Sequence, residues 1–204
     1  MPGYVQVIER IPKPGKNKTV LQRTIATLES LNRRGVVMES ISNATERRVV
    51  VLLNIESMAA LEKLYDNYKV NPDLIRAFEE NGADCEKVRS DILEIVETPV
   101  RPDVGAKYWA RNLLVARQGE LPNLIAVMKE IRGIAQSVTP GITRTIGGNA
   151  DSVRAVIPIS SLEQFEAWNH EMASDKMKPY REQLNALTVQ RITELTRVAY
   201  ISRG

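Results

Sequence analysis

The feature that most constrains the fold of this 204-residue chain is an internal repeat. A strand-like run begins at Tyr4 and ends in a turn at 12–15, which is rich in Pro and Gly. A similar run begins 104 residues later at Tyr108 and ends at Gly119. Repeated order at a fixed spacing predicts two halves that fold alike.

Each half continues with a helical pattern and a short strand. Apolar residues recur at helical intervals in both halves: Leu21, Ile25, Leu28 and Leu31, then Leu124, Met128, Ile131 and Ile134. Gly35 and Gly141 are predicted to break the chain before strands at 36–42 and 142–146. Turns are predicted after these strands, at 43–45 and 147–149.

A continuous apolar strand and a second helix follow. The strands are predicted at 48–55 and 153–159, the helices at 58–68 and 162–172. Ser161 with Gln164 forms a capping box, and Asn71 before Pro72 predicts a further short helix, with a similar start near Ser174. Closing strands are predicted at 91–96 and 191–200. The resulting order is that of a ferredoxin-like βαββαβ unit.

The domains are predicted as repeat 1 at 1–98, a polar, Pro-rich linker at 99–106, and repeat 2 at 107–204. The runs Val49–Leu53 and Ala155–Ile157 do not alternate between apolar and polar residues, so both faces of their sheets should be covered. We therefore predict an α+β fold in which two tandem ferredoxin-like units pack sheet to sheet as an α+β barrel.

Composition narrows the classes of function. The 28 basic and 25 acidic residues leave a net charge of +3 without a basic stripe, so no nucleic-acid partner is expected. One Cys and one His leave no disulfide and no conventional zinc site. No apolar run is long enough for a membrane span and no signal peptide is evident, so a cytoplasmic protein without membrane contact is expected.

One stretch of the second half resembles a known superfamily. Residues 156–168, Val-Ile-Pro-Ile-Ser-Ser-Leu-Glu-Gln-Phe-Glu-Ala-Trp, are similar to the strand-to-helix stretch of NIPSNAP-type and antibiotic-biosynthesis-monooxygenase-type domains, and residues 54–61 are a weaker version. The resemblance implies a dimeric α+β barrel, a superfamily that holds monooxygenases, isomerases, haem enzymes and proteins of unassigned role. A homo-oligomer is compatible with it.

The resemblance also bears on cofactors. Haem-degrading members use an Asn on the first strand with a Trp and a His further on. Asn112 matches the Asn of this set. The position before the end of the third strand is Pro158, however, and His170 is predicted to point outward, so the set is incomplete. No haem, zinc or other cofactor is therefore expected.

The helical phase of 162–172 selects further candidates. It places Leu162, Phe165, Trp168, Asn169 and Met172 on the inner face and His170 on the opposite, exposed side. Trp168 and Asn169 either contact a ligand, or Trp168 is core and Asn169 bonds to backbone. Tyr65 and Tyr68 occupy the matching face of the first half, with the same two readings.

Polar residues replace apolar ones in the first strand of the second half. Arg111 and Asn112 stand where the first half has Val7 and Ile8. They either mark a retained site, or Arg111 pairs with Glu39 or Glu194. We expect any pocket in the second half, between its sheet and the helix carrying Trp168. The candidate ligand-binding set is Trp168, Asn169, Asn112, Tyr108, Tyr65 and Tyr68.

Two functions remain open at this point. The first is a cofactor-independent monooxygenase or isomerase acting on a small, largely apolar organic molecule. The second is a non-catalytic small-ligand-binding or assembly protein of the NIPSNAP type. A polar, enclosed pocket favours the enzyme, and a large exposed apolar patch favours assembly. The sequence does not identify the catalytic residues.

Overall fold

The computed structural model describes residues 3–41, 47–98, 105–146 and 149–203. The first half contains β1 (Tyr4–Pro12), α1 (Asn17–Ser30), β2 (Arg34–Ser40), β3 (Val49–Ile55), α2 (Met58–Val70), α3 (Pro72–Ala83) and β4 (Cys85–Glu97). The second contains β5 (Tyr108–Ala116), α4 (Leu121–Ile134), β6 (Gly141–Thr145), β7 (Ser152–Ile159), α5 (Leu162–Ala173), a 3₁₀ turn (Asp175–Met177), α6 (Lys178–Leu187) and β8 (Thr188–Arg203).

The strands are hydrogen-bonded in the order β1-β3-β2-β8-β5-β7-β6-β4 and close into a barrel. The predicted α+β barrel fold is confirmed. The two halves also share a register, because β1 pairs with β3 from Tyr4 opposite Ile55, and β5 pairs with β7 from Tyr108 opposite Ile159. These pairs lie 104 residues apart in both strands, so positions in the two halves can be compared one by one.

The chain divides into two compact units. The first unit comprises Met1–Leu93 with Arg197–Gly204, and the second comprises Glu94–Thr196. The division differs from the predicted repeats because β4 and β8 are each split between the two units, β4 after Leu93 and β8 after Thr196. As boundaries of duplicated sequence, 1–98 and 107–204 stay a prediction. The predicted turn at 43–45, most of the turn at 147–149 and linker residues 99–104 lie outside the described residues.

Each unit has its own apolar core between sheet and helices. Val49, Val50 and Val51 are all buried, as expected for a strand covered on both faces. The first core includes Val20, Leu28, Val51, Leu53 and Leu64. The second includes Leu124, Ile142, Ile157, Trp168 and Leu184.

The predicted N-cap roles of Ser161 and Asn71 are confirmed, whereas the Gln164 side chain accepts from the Ser160 amide and does not close the capping box on Ser161. The Ser161 hydroxyl accepts a hydrogen bond from the Gln164 amide at 3.2 Å, and the Asn71 side chain accepts from the Asp73 amide at 3.1 Å. Gly35, in contrast, lies inside β2 rather than before it. A Cβ at this position would come within 2.7 Å of the Leu52 carbonyl oxygen, so close strand packing rather than a chain break requires the glycine.

Within the described residues, none of the helices combines the length and apolarity that crossing a membrane requires.

Candidate functional site

Two polar side chains of β1 lie under the helices of the first unit. Gln6 is opposite Leu53 and Arg10 is opposite Val49. Directly opposed residues share a face of the sheet, and Val49 and Leu53 belong to the core beneath the helices. Gln6 is 2% exposed and Arg10 is 3% exposed. A glutamine and a cation are therefore buried in the layer between sheet and helices.

Tyrosines from α2 complete this layer. The Gln6 amide donates to the Tyr65 hydroxyl at 3.2 Å and to the Ser90 hydroxyl at 3.0 Å. The ring of Tyr68 meets that of Tyr65 edge to face, with centroids 6.2 Å apart. We call Gln6, Arg10, Tyr65, Tyr68 and Ser90 the Arg10 cluster. Since Tyr65 is 41% exposed, the cluster is close to solvent at that end.

The Arg10 cluster contains buried polar atoms that no described residue satisfies. They are Nη1 of Arg10, Oε1 of Gln6 and the hydroxyl of Tyr68. Glu39 lies in the same row of the sheet as Arg10, opposite Val49, yet no ion pair joins the two described side chains. Buried polar groups are normally hydrogen-bonded, and each unmet one costs roughly 1–3 kcal/mol. The three atoms are therefore the polar groups of the cluster without a hydrogen-bond partner among the described residues.

The electrostatics of the cluster favour a negative ligand. Burial lowers the pKa of Arg10 from its usual value, against the smaller opposing influence of Cys85 and Tyr68. Burial raises the pKa of Tyr68 to about 12, against the opposing influence of Arg33. Burial also raises the pKa of the Cys85 thiol, which donates to the Asn81 carbonyl. At neutral pH the tyrosine and the thiol are therefore uncharged, and Arg10 is the cation of the cluster.

The second unit has an apolar layer at the corresponding positions. Ala110 and Leu114 stand where the first unit has Gln6 and Arg10, and Met172 stands where it has Tyr68. Ala110, Leu114 and Trp168 are buried in one continuous core. Trp168 is thus a core residue, which is one of the two interpretations left open by the sequence.

The other face of the second unit's sheet carries buried charges. The Arg111 guanidinium donates to Glu194 Oε2 at 2.9 Å, and the two residues are 7% and 9% exposed. This is one of the two pairings open from sequence. Arg154 is buried on the same face, because it is opposite Leu113 in the register. A buried charge that is paired with its partner is most simply a part of the fold rather than a group that binds a ligand.

The predicted inward placement of Asn169 is wrong, since Asn169 is exposed. Leu162, also placed inward by the helical phase, is 49% exposed. α5 is turned toward Trp168, because Gln164 and Glu171 on that side bind the loop after α4. Gln164 Nε2 donates to the Ser137 carbonyl at 3.0 Å, and Glu171 Oε1 accepts from the Gln136 amide at 2.8 Å.

The remaining predicted residues have defined environments. His170 has an 80% exposed side chain, 3.7 Å from Glu166, as its outward phase predicted. Asn112 is half-buried, and its Oδ1 accepts from the Thr193 hydroxyl at 2.6 Å. Tyr108 packs against the second core. Of the six candidates, Tyr65 and Tyr68 thus belong to the Arg10 cluster, and the other four lie in the second unit.

Sequence reasoning missed Gln6, Arg10 and Ser90. A signal was available for two of them, because Gln6 and Arg10 share the parity of Tyr4 and Ile8 along β1. Polar residues on the apolar side of a strand indicate a buried polar site. Ser90 has no such signal, because it ends the largely polar run Glu-Lys-Val-Arg-Ser at 86–90, in which every residue is exposed.

An open groove of about 490 Å³ lies in the second unit beside α4. It is therefore beside a different helix from α5, where a pocket was expected. We call it the α4 groove, and its lining residues are Glu94, Ile95, Val96, Leu121, Pro122, Ile125 and Arg144. In the described part of the chain, no three His, Cys, Asp or Glu side chains come together as a metal site would need.

The fold is shared with solved structures of low sequence similarity. A candidate monooxygenase from Fusobacterium nucleatum superposes with a TM-score of 0.74 at 9% identity, covering 98% of this chain and 93% of that one. An anthrone oxidase-like protein gives 0.75 at 11% identity, covering 100% and 95%. A candidate monooxygenase from Lactobacillus acidophilus gives 0.65 at 9% identity, covering 98% and 96%.

No protein-family model and no functionally characterised protein matches the sequence. At identities this low, the similarity shows the fold and leaves the chemistry to the residues of the site.

Proposed function

We propose that this protein is an O₂-dependent monooxygenase that uses no metal or organic cofactor. Its substrate is a small, largely apolar molecule with an acidic hydroxyl, phenolic or enolic, bound in the Arg10 cluster. The observation that carries the proposal is the 97% buried Arg10, whose Nη1 has no hydrogen-bond partner among the described residues. The fold shared with candidate monooxygenases supports the reaction class.

Each residue of the cluster has a role in this proposal. Arg10 binds the substrate oxyanion and favours its ionised form, because a cation in a dry site interacts strongly with developing negative charge. Tyr68, protonated at neutral pH, donates a second hydrogen bond to that oxygen. Gln6 Oε1 accepts from a neutral hydroxyl elsewhere on the substrate, and the rings of Tyr65 and Tyr68 contact its apolar body.

The reaction converts an activated CH₂ group of the ionised substrate into a carbonyl. The CH₂ group loses two protons and four electrons, and O₂ gains the four electrons. One oxygen atom forms the new C=O bond, and the other leaves as water with the two protons. Stabilising the substrate anion accelerates this step, because the electron-rich carbanion form reacts with O₂.

Ligand binding without turnover is the second candidate, and one observation favours it. Burial keeps Tyr68 and Cys85 protonated, so neither is ready to accept the substrate proton at neutral pH. A substrate that does not ionise by itself would then bind unchanged.

Anthrone is a suitable test compound, because its CH₂ group is activated and its enol is acidic. Turnover is followed by O₂ uptake and anthraquinone formation, and binding by fluorescence quenching under nitrogen. Arg10→Leu is the decisive variant, since Leu114 occupies the corresponding position in the second unit. We expect it to weaken binding ~10- to 100-fold, as for loss of a charged hydrogen bond, and to abolish turnover.

Asn169→Leu is the matched control and also tests the site predicted from sequence. It should leave binding and turnover unchanged if the Arg10 cluster is the site. Loss of binding in Asn169→Leu with retention in Arg10→Leu would contradict our proposal and place the site in the second unit. Tight, Arg10-dependent binding without O₂ uptake would leave the non-catalytic function.

A further inference from the structure

We propose that the α4 groove is a second binding site, specific for a monocarboxylate with an unbranched apolar tail. Three observations indicate this ligand. They are the two Nη groups of Arg144, the apolar walls of the groove, and the charges near it. All the residues involved lie in the second unit, so the inference does not depend on the function proposed for the Arg10 cluster.

Arg144 provides the binding group for the carboxylate. Its Nε donates to Glu94 Oε2, and its side chain is 49% exposed. Neither Nη group of Arg144 has a hydrogen-bond partner within the described residues. A guanidinium presents its donors as a rigid fork, so the two Nη groups can hold both oxygens of a carboxylate while Nε stays on Glu94.

The walls of the groove accommodate an apolar tail. Five of its seven lining residues are apolar: Ile95, Val96, Leu121, Pro122 and Ile125. The volume of about 490 Å³ falls within the range typical of small-molecule sites, roughly 300–1,000 Å³. The groove is partly open to solvent, which suits a flexible chain better than a molecule that must be enclosed.

The surrounding charges favour an anion. Lys129 and Arg132 on α4 both lie close to Glu97, at 3.1 Å and 3.8 Å. These three residues lie outside the lining of the groove, and together with the lining pair of Arg144 and Glu94 they make three positive and two negative charges. Glu94 opposes this locally, because it would lie beside the incoming carboxylate. The geometry therefore predicts that neutralising Glu94 strengthens binding.

Decanoate, measured by titration calorimetry at low salt, tests the proposal with decanol as the uncharged comparison. We expect decanoate to bind with micromolar to sub-millimolar affinity and at least ~10-fold more tightly than decanol. Arg144→Gln should weaken decanoate ~10-fold or more and leave decanol unchanged. Lys129→Gln, whose side chain does not line the groove, is the matched control and should change binding less than ~3-fold, through long-range charge only.

Glu94→Gln gives a test with the opposite sign, in which decanoate should bind several-fold more tightly. This variant keeps the proposal testable if Arg144→Gln fails to fold. Equal affinities for decanoate and decanol, no binding at millimolar ligand, or full affinity in a folded Arg144→Gln would each overturn it. Loss of binding in Arg10→Leu but not in Arg144→Gln would assign decanoate to the Arg10 cluster and overturn it as well.

Discussion

The strands β1 and β5 hold corresponding positions in the two units and share one register, but each buries an arginine on the opposite face. In the first unit, Gln6 and Arg10 lie beneath the helices, where the second unit has Ala110 and Leu114. In the second unit, Arg111 is buried on the other face, where the first unit has Val7.

The difference shows that the register does not decide which layer is polar. Side chains alternate between the faces of a strand, so Arg10 and Arg111, at positions of opposite parity, lie in different layers. Arg111 has Glu194 at 2.9 Å, which makes it a structural charge. Arg10 has no described carboxylate partner, which is the condition expected of a binding residue.

The largest expected effect comes from breaking the buried ion pair of the second unit. Arg111→Val introduces the first unit's residue and leaves Glu194 buried without its partner. We expect the free energy of unfolding to fall by about 3–5 kcal/mol. Urea denaturation measures this, and the double variant Arg111→Val with Glu194→Met should recover most of the loss. A loss below about 1 kcal/mol in the single variant would show that Glu194 is satisfied without Arg111.

Arg10→Leu should not lower the free energy of unfolding as Arg111→Val does. Removing an uncompensated buried cation, and replacing it with the residue found in the second unit, should leave the free energy of unfolding unchanged or raise it by about 1–2 kcal/mol. Urea midpoints of the variant and parent at pH 7 give the comparison. A destabilisation of about 2 kcal/mol or more would mean that Arg10 holds the first unit together, and the contrast between the units would then disappear.

Tyr68 should make the first unit sensitive to alkali. Its folded pKa of about 12 lies above the ordinary value of 10.0, so folding favours the protonated hydroxyl. Its contribution to stability is complete below pH 10 and is lost as the pH rises from 10 toward 12. Between pH 9 and pH 11.5, the parent should therefore lose more stability than Tyr68→Phe does. Parallel pH profiles for the two proteins would show that the hydroxyl is not desolvated.

The smallest effects are expected on the exposed side of α5. His170→Ala should change the free energy of unfolding by less than about 0.5 kcal/mol, because its side chain is 80% exposed. Thermal unfolding at pH 7 measures it. A loss of several kcal/mol would show that α5 buries the face that carries His170.

Much of this fold was determined by the sequence alone, because its signals are local. Periodicity placed the strands and helices, and the unbroken apolar run at Val49–Val51 indicated cover on both faces of the sheet. Cap residues such as Asn71 and Ser161 marked helix starts to within a residue. Glu39 and Glu194 were the partners proposed for Arg111 from the sequence, because buried charges are usually paired, and Glu194 is the one that the guanidinium contacts.

The tertiary structure decided which polar residues are buried and which are satisfied. Asn169 is exposed because Gln164 and Glu171 bind the loop at Gln136 and Ser137 and turn α5 toward Trp168. The unsatisfied state of Arg10 and the α4 groove depend in the same way on segments distant in the chain. Helical phase is set to within tens of degrees by periodicity, but the last rotation depends on hydrogen bonds that form only when those distant segments meet.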